Sequence, residues 1–222
     1  LDAVAGGIWG PIIGGAAEAV QLTGDGVTLG GSIQFADLFI NGRTTLAGNT
    51  TGPKSVVLTD TLDLTNRLFA ISGDFTATGP AALILSQQAG AQLSVLGNAT
   101  FDGGNQLGSM TNGAVSVAGN FTQLATHSGD SYHPSGAHIT VINSMGSSVI
   151  SFATPGTVPG TSHFQELAIA GSALDTVTFA SDAYAHGNLQ QTNADTTFFK
   201  SSDRTFSVGG ALFGIGFVCA VA

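Results

Sequence analysis

Apolar and polar residues alternate in short runs along the whole chain, and no run extends far. Val27-Thr28-Leu29, Ser32-Ile33-Gln34-Phe35, Ser55 to Leu58, Leu83 to Leu85, Gln92 to Val95, Val115 to Val117, His138 to Ile142, Val149 to Phe152, Leu167 to Ile169 and Thr176 to Phe179 all read as strands. Alternation with a period of two marks a half-buried strand. Gly-Asn, Gly-Asp, Gly-Gly and Asn-Gly pairs separate the runs and provide the backbone freedom of tight turns. The one helical candidate, the Ala-rich Gly15 to Val20, is short, and no sustained 3.6-residue apolar stripe occurs.

The strands are arranged by a repeat. Leu22-Thr23-Gly24-Asp25, Leu46-Ala47-Gly48-Asn49, Ile71-Ser72-Gly73-Asp74, Val95-Leu96-Gly97-Asn98, Val117-Ala118-Gly119-Asn120, Ala185-His186-Gly187-Asn188 and Val208-Gly209-Gly210-Ala211 resemble one another. Their glycines fall at a nearly even step, and the long gap from Gly119 to Gly187 holds three such steps. A fixed period in this range marks a solenoid. Three short strands and three turns fill a step of roughly 22–25 residues. The chain is therefore expected to be all-β: a right-handed parallel β-helix of about nine coils. Coils advance by about 4.8 Å each, which gives a rod of ~40 Å. A left-handed solenoid, built on hexapeptides, is set aside for lack of a finer internal period. The organisation expected is an apolar N-terminal segment at 1–21, a single solenoid at 22–212 with polar loops in 123–161, and an apolar C-terminal strand at 213–222.

The recurring Val-x-Gly-Asn-Phe-Thr pattern resembles right-handed parallel β-helix modules of bacterial surface proteins, adhesins and secreted fibres. Val149-Ile150-Ser151-Phe152-Ala153-Thr154-Pro155-Gly156, followed by Ser162 to Gly171, is similar to repeats in large secreted bacterial proteins. The resemblance implies an extracellular or cell-surface location.

Composition narrows the partners. Charged residues are 9% of the chain, and the net charge of −9 includes only five cations. Such a surface repels phosphate backbones and anionic bilayers, so neither is an expected partner, and membrane insertion is not expected because the apolar ends are broken by Pro11 and by Gly209, Gly210, Gly214 and Gly216. Low charge suits stacked strands, where like charges opposite one another destabilise. The single Cys219 excludes an intrachain disulfide and reads as a small buried hydrophobe.

Candidate chemistry is sparse, and neither a catalytic set nor a cofactor is expected. The Asx residues after the glycines, Asp25, Asn49, Asp74, Asn98, Asn120 and Asn188, are expected to form one structural column, bonded along the axis as an amide ladder. Asn49, Asn98 and Asn120 also begin N-glycosylation sequons. His127, Asp130, His133 and His138 share a loop and are weak metal-ligand candidates, since imidazole and carboxylate bind zinc but their spacing matches no strong motif. Asp37 and Asp60 lie about one repeat apart, as do Arg43 and Arg67, which would place each pair on adjacent coils. The sequence signatures of polysaccharide-cleaving β-helices are otherwise missing, so salt-bridged columns are the simpler reading.

Both ends are apolar. Ile8, Trp9, Ile12 and Ile13 lie at one and Leu212, Phe213, Ile215 and Phe217 at the other. Non-identical, complementary end surfaces propagate into a filament. The function expected is therefore a secreted structural subunit that joins itself head to tail, with the N-terminal segment donating a strand; the rival readings of the apolar ends are segments folded back as caps, or a piece of a longer solenoid. A glycan-recognising adhesin stalk or tip that uses the 123–161 loops is the alternative, and a polysaccharide-degrading enzyme stands behind it.

Overall fold

The computed structural model describes residues 2–3, 8–9, 12–13, 19–34, 37–171, 175–192, 197–200, 204–214 and 218–220, with side chains over 19–33, 37–171, 175–192 and 204–214. Every regular element among them is a strand, and no helix there is long and apolar enough to cross a membrane. All strand pairs are parallel, and they stack as a β-solenoid. Sheet A has 11 strands and sheet B has 13, while a third face holds the short pair Ala183–Ala185 and Phe206–Val208. The stack has about eight turns, close to the nine expected. Strands at Asp2–Ala3, Thr197–Lys200 and Val218–Ala220 extend sheet A at its two ends. The terminal segments thus carry strands that pair within the chain.

The turns are not of one length. Near the start of sheet A the turns are short: Ala19 pairs with Asp37, and Asp37 with Ser55. They widen where Phe75 pairs with Ala99, and widen again where Phe121 pairs with Ile150 and Ile150 with Phe179. Core composition changes along with the widening, and the widest turns also carry the loops at 124–138 and 153–163. The short turns are filled by aliphatic columns, Val20–Leu38–Val56 and Leu22–Ile40–Leu58. The long turns enclose rings: Phe101 lies 5.0 Å from Phe121 and 4.5 Å from Tyr132, and Phe121 lies 5.1 Å from Phe164. Large and small residues alternate along the axis, as in Phe75–Ala99–Phe121 and Leu58–Ala77–Phe101, so each ring has room over its neighbour.

These lengths correct the expected repeat. Gly24 has Gly42 as its axial neighbour, because a Cβ on Gly42 would lie 2.6 Å from the Gly24 carbonyl oxygen. Gly48 lies instead over Gly30. The step between glycine marks therefore overruns the short turns, and the marks drift around the cross-section. From Gly73 to Gly119 spacing and turn length agree: Gly97 N–H donates to Gly73 O and Gly119 N–H to Gly97 O, both at 2.9 Å.

Candidate functional site

The Asx residues follow the same drift, so they do not form one column. Asp74, Asn98 and Asn120 stack at the corner leading into sheet A. Asn49 and Asn188 precede sheet B pairs, and Asp25 sits before the strand Val27–Gln34. The three stacked residues share one bonding mode. Asn98 N–H donates to Asp74 Oδ1 at 2.7 Å, Asn120 N–H to Asn98 Oδ1 at 2.9 Å, and Val149 N–H to Asn120 Oδ1 at 2.8 Å. A side-chain amide rung occurs at one step, where Asn98 Nδ2 donates to Asp74 Oδ1 at 3.1 Å. Elsewhere the side-chain oxygen holds the backbone of the next turn, which satisfies a corner N–H that no strand can pair. The sequon residues Asn49, Asn98 and Asn120 are all exposed, each with its side-chain oxygen engaged in an exposed bond.

The two carboxylates considered for hydrolysis are separated by the short turn. Asp37 has Ser55 beside it and accepts its Oγ–H at 2.6 Å, while Asp60 precedes the strand Thr61–Asp63 in sheet B. Arg43 instead reaches Asp63, with 4.0 Å between guanidinium and carboxylate.

The loop beyond Gln123 is folded inward, although its polar sequence suggested a surface loop. Asp130, Ser131, Tyr132, His133 and Pro134 are buried. Tyr132 enters the aromatic core and its hydroxyl lies 2.6 Å from Thr140 Oγ1, with burial pushing the phenol well above its usual range. Gln123 Nε2 donates to Ser131 Oγ at 2.9 Å, and Ser131 Oγ–H is shared between the carbonyls of Phe101 and Leu124. What made this plug illegible is that the aromatic residue that needs the core sits among polar neighbours.

Of the metal candidates only Asp130 and His133 meet, with 3.2 Å between Asp130 Oδ1 and His133 Nδ1. His127 is exposed; Asp130 Oδ1 accepts Gly160 N–H at 2.8 Å; His133 Nδ1 donates to Thr161 O at 2.7 Å; His138 Nδ1 donates to Asn112 O at 2.9 Å. Among the described residues no three His, Cys, Asp or Glu converge to hold an ion. Spacing along the loop gave no hint of the contact that does form: the His133 and His163 rings meet edge to face at 4.3 Å, and His186 follows 5.9 Å from His163. Burial, then His133, lowers the His163 pKa to about 4, and burial lowers that of His138 to about 4.

At the C-terminal end, the inward column of sheet B runs Phe69–Leu93–Val115–Thr140–Leu167–Leu189–Leu212. Leu189 is 3% exposed, yet Leu212 is 61% exposed and its neighbour Phe213 53%. A core position thus meets solvent because no described rung lies above it. Ile215 and Phe217 fall outside the described residues, as do the side chains of Ile8, Trp9, Ile12 and Ile13. The backbone register sets Trp9 beside Leu29 and Ile12 beside Ile33, both of them inward positions.

The fold defines the protein as a parallel β-solenoid. Comparison with protein-family models, with characterised proteins and with solved structures finds no match.

Proposed function

We propose that the protein is a secreted structural subunit whose solenoids stack head to tail into an extracellular filament. The observation that carries this reading is Leu212, a core-column residue that is exposed at the last described rung of sheet B. Fully burying a leucine side chain stabilises by about 1.5–3 kcal/mol, and an open strand edge adds unpaired backbone donors and acceptors. A second copy's first rung supplies both the cover and the partners.

Turn length supports the match between ends. The first sheet A turn runs from Asp2 to Gln21 and the last from Phe198 to Val218, nearly equal and both far shorter than the middle turn from Phe121 to Ile150. Two ends of similar circumference continue both sheets with little mismatch. Residues 130–134 of the first loop are buried, while much of 124–129 and 153–160 remains at the surface, so a glycan-binding role for these loops stays the alternative reading.

Negative-stain electron microscopy of the purified chain tests it. Uniform fibres are expected, and Leu212→Asp should leave folded single rods. Discrete rods of ~40 Å from the unaltered chain, at about 4.8 Å per rung, would sink the proposal.

A further inference from the structure

Two polar loops leave consecutive turns, 124–138 and 153–163, and each is held down by an imidazole. His133 Nδ1 donates to Thr161 O at 2.7 Å, tying the first loop to the second. His163 Nδ1 donates to Gly156 O at 3.1 Å within the second loop, and the Pro134 carbonyl of the first lies against the same ring. Asp130 Oδ1 accepts Gly160 N–H at 2.8 Å, and Tyr132 N–H donates to Ser162 Oγ at 3.2 Å. Both rings are buried and in edge contact at 4.3 Å. Beneath them Tyr132 is enclosed by Phe101, Phe121 and Phe164.

We propose that the His133–His163 contact is an acid-released clamp: with the His163 ring neutral the two loops stay closed over the aromatic core, and protonation of His163 drives them apart and uncovers Tyr132. The balance of charge around the rings supports release rather than accommodation. Facing them are Asp130, 3.2 Å from His133 Nδ1, and His186, 5.9 Å from His163. Other carboxylates nearby in the chain are engaged: Asp102 Oδ1 accepts Thr126 N–H and Glu166 Oε2 accepts Asn188 N–H. One facing carboxylate thus stands against three imidazoles, and His163 has other imidazoles on both sides. A cation there is desolvated and lacks an anionic partner of its own.

The direction follows from linkage. The closed loops hold His163 well below the value of a free imidazole, 6.5 falling to about 4. Closure is therefore fully favoured above pH 6.5 and weakens as the pH falls toward 4. Within that window the opening equilibrium rises by about tenfold per pH unit.

Hydrogen exchange followed by mass spectrometry, at pH 7.5 and pH 5.0 and normalised to intrinsic rates, tests the clamp. Peptides from 124–138 and 153–163 are expected to gain at least about tenfold in opening over strands such as Gln92–Val95. His163→Gln should hold the loops closed at pH 5.0, and His133→Gln provides a second, independent removal of the contact. Loops equally protected at both pH values would overturn the proposal. So would strands opening together with the loops, or an unchanged acid response in both variants.

Discussion

Replacing Gly42 and Gly48 in turn separates the stacking of the folded chain from the spacing written in the sequence. Gly42→Ala places a Cβ 2.6 Å from Gly24 O and 2.7 Å from its carbonyl carbon, both backbone atoms that cannot rotate away. Gly48→Ala meets nothing nearer than Gly30 Cα, at 3.8 Å, an ordinary contact. Neither glycine has the positive φ that would strain alanine for another reason. Overpacking against fixed backbone costs about 1–3 kcal/mol. The upper half of that range applies to Gly42, because separating the turns also strains the Asn41 N–H to Leu22 O bond of 2.8 Å. At Gly48 the smaller unfolded-state entropy of alanine offsets any contact, so the change is within about 0.5 kcal/mol of neutral or stabilising. Urea unfolding followed by circular dichroism reads both, with the midpoint falling for Gly42→Ala alone. Equal loss in the two variants, or a loss confined to Gly48→Ala, would refute the register that sets Gly42 over Gly24 and restore the one that sets Gly48 there.

Three further outcomes follow from the core and the corners. Phe101→Ala removes the ring between Phe75, Phe121 and Tyr132, and a loss of about 3–5 kcal/mol is expected in the same unfolding assay. Asn98→Ala deprives Asn120 N–H of its acceptor at an exposed corner, so the cost is about 1 kcal/mol, and Asn98→Asp should recover little of it, because it sets a second carboxylate against Asp74. His138, fully buried with its Nε2 unpartnered, has a pKa lowered from 6.5 to about 4 by burial. Its contribution is complete above pH 6.5 and is lost as the pH falls to 4, by up to about 3 kcal/mol, which denaturant titrations across that range should show and His138→Gln should flatten.

Much of the fold could be read from the chain, because period-two alternation reports burial directly. Gln92-Leu93-Ser94-Val95 alternates exposed or half-buried with buried positions as its letters suggest. Local pattern says which way a side chain points, but not how much chain closes a turn. That length depends on contacts between residues one turn apart and on the loops a turn carries: Leu22, Ile40 and Leu58 stack across short turns, whereas Phe121 and Tyr132 meet where a turn also holds the 124–138 loop. The glycine marks held a nearly even spacing across this change of width, so Asp74, Asn98 and Asn120 align while Asp25 and Asn49 fall elsewhere. The same reasoning explains the missed histidine contact. His133 and His163 are well separated in the sequence, and their interval matches no step between the glycine marks. It becomes a 4.3 Å contact only because the widest turns carry two loops that fold onto one another. The inward register of Leu212 was legible for the opposite reason: it lies in a short strand beside Leu189, and its apolar character needed no knowledge of turn length to stand out.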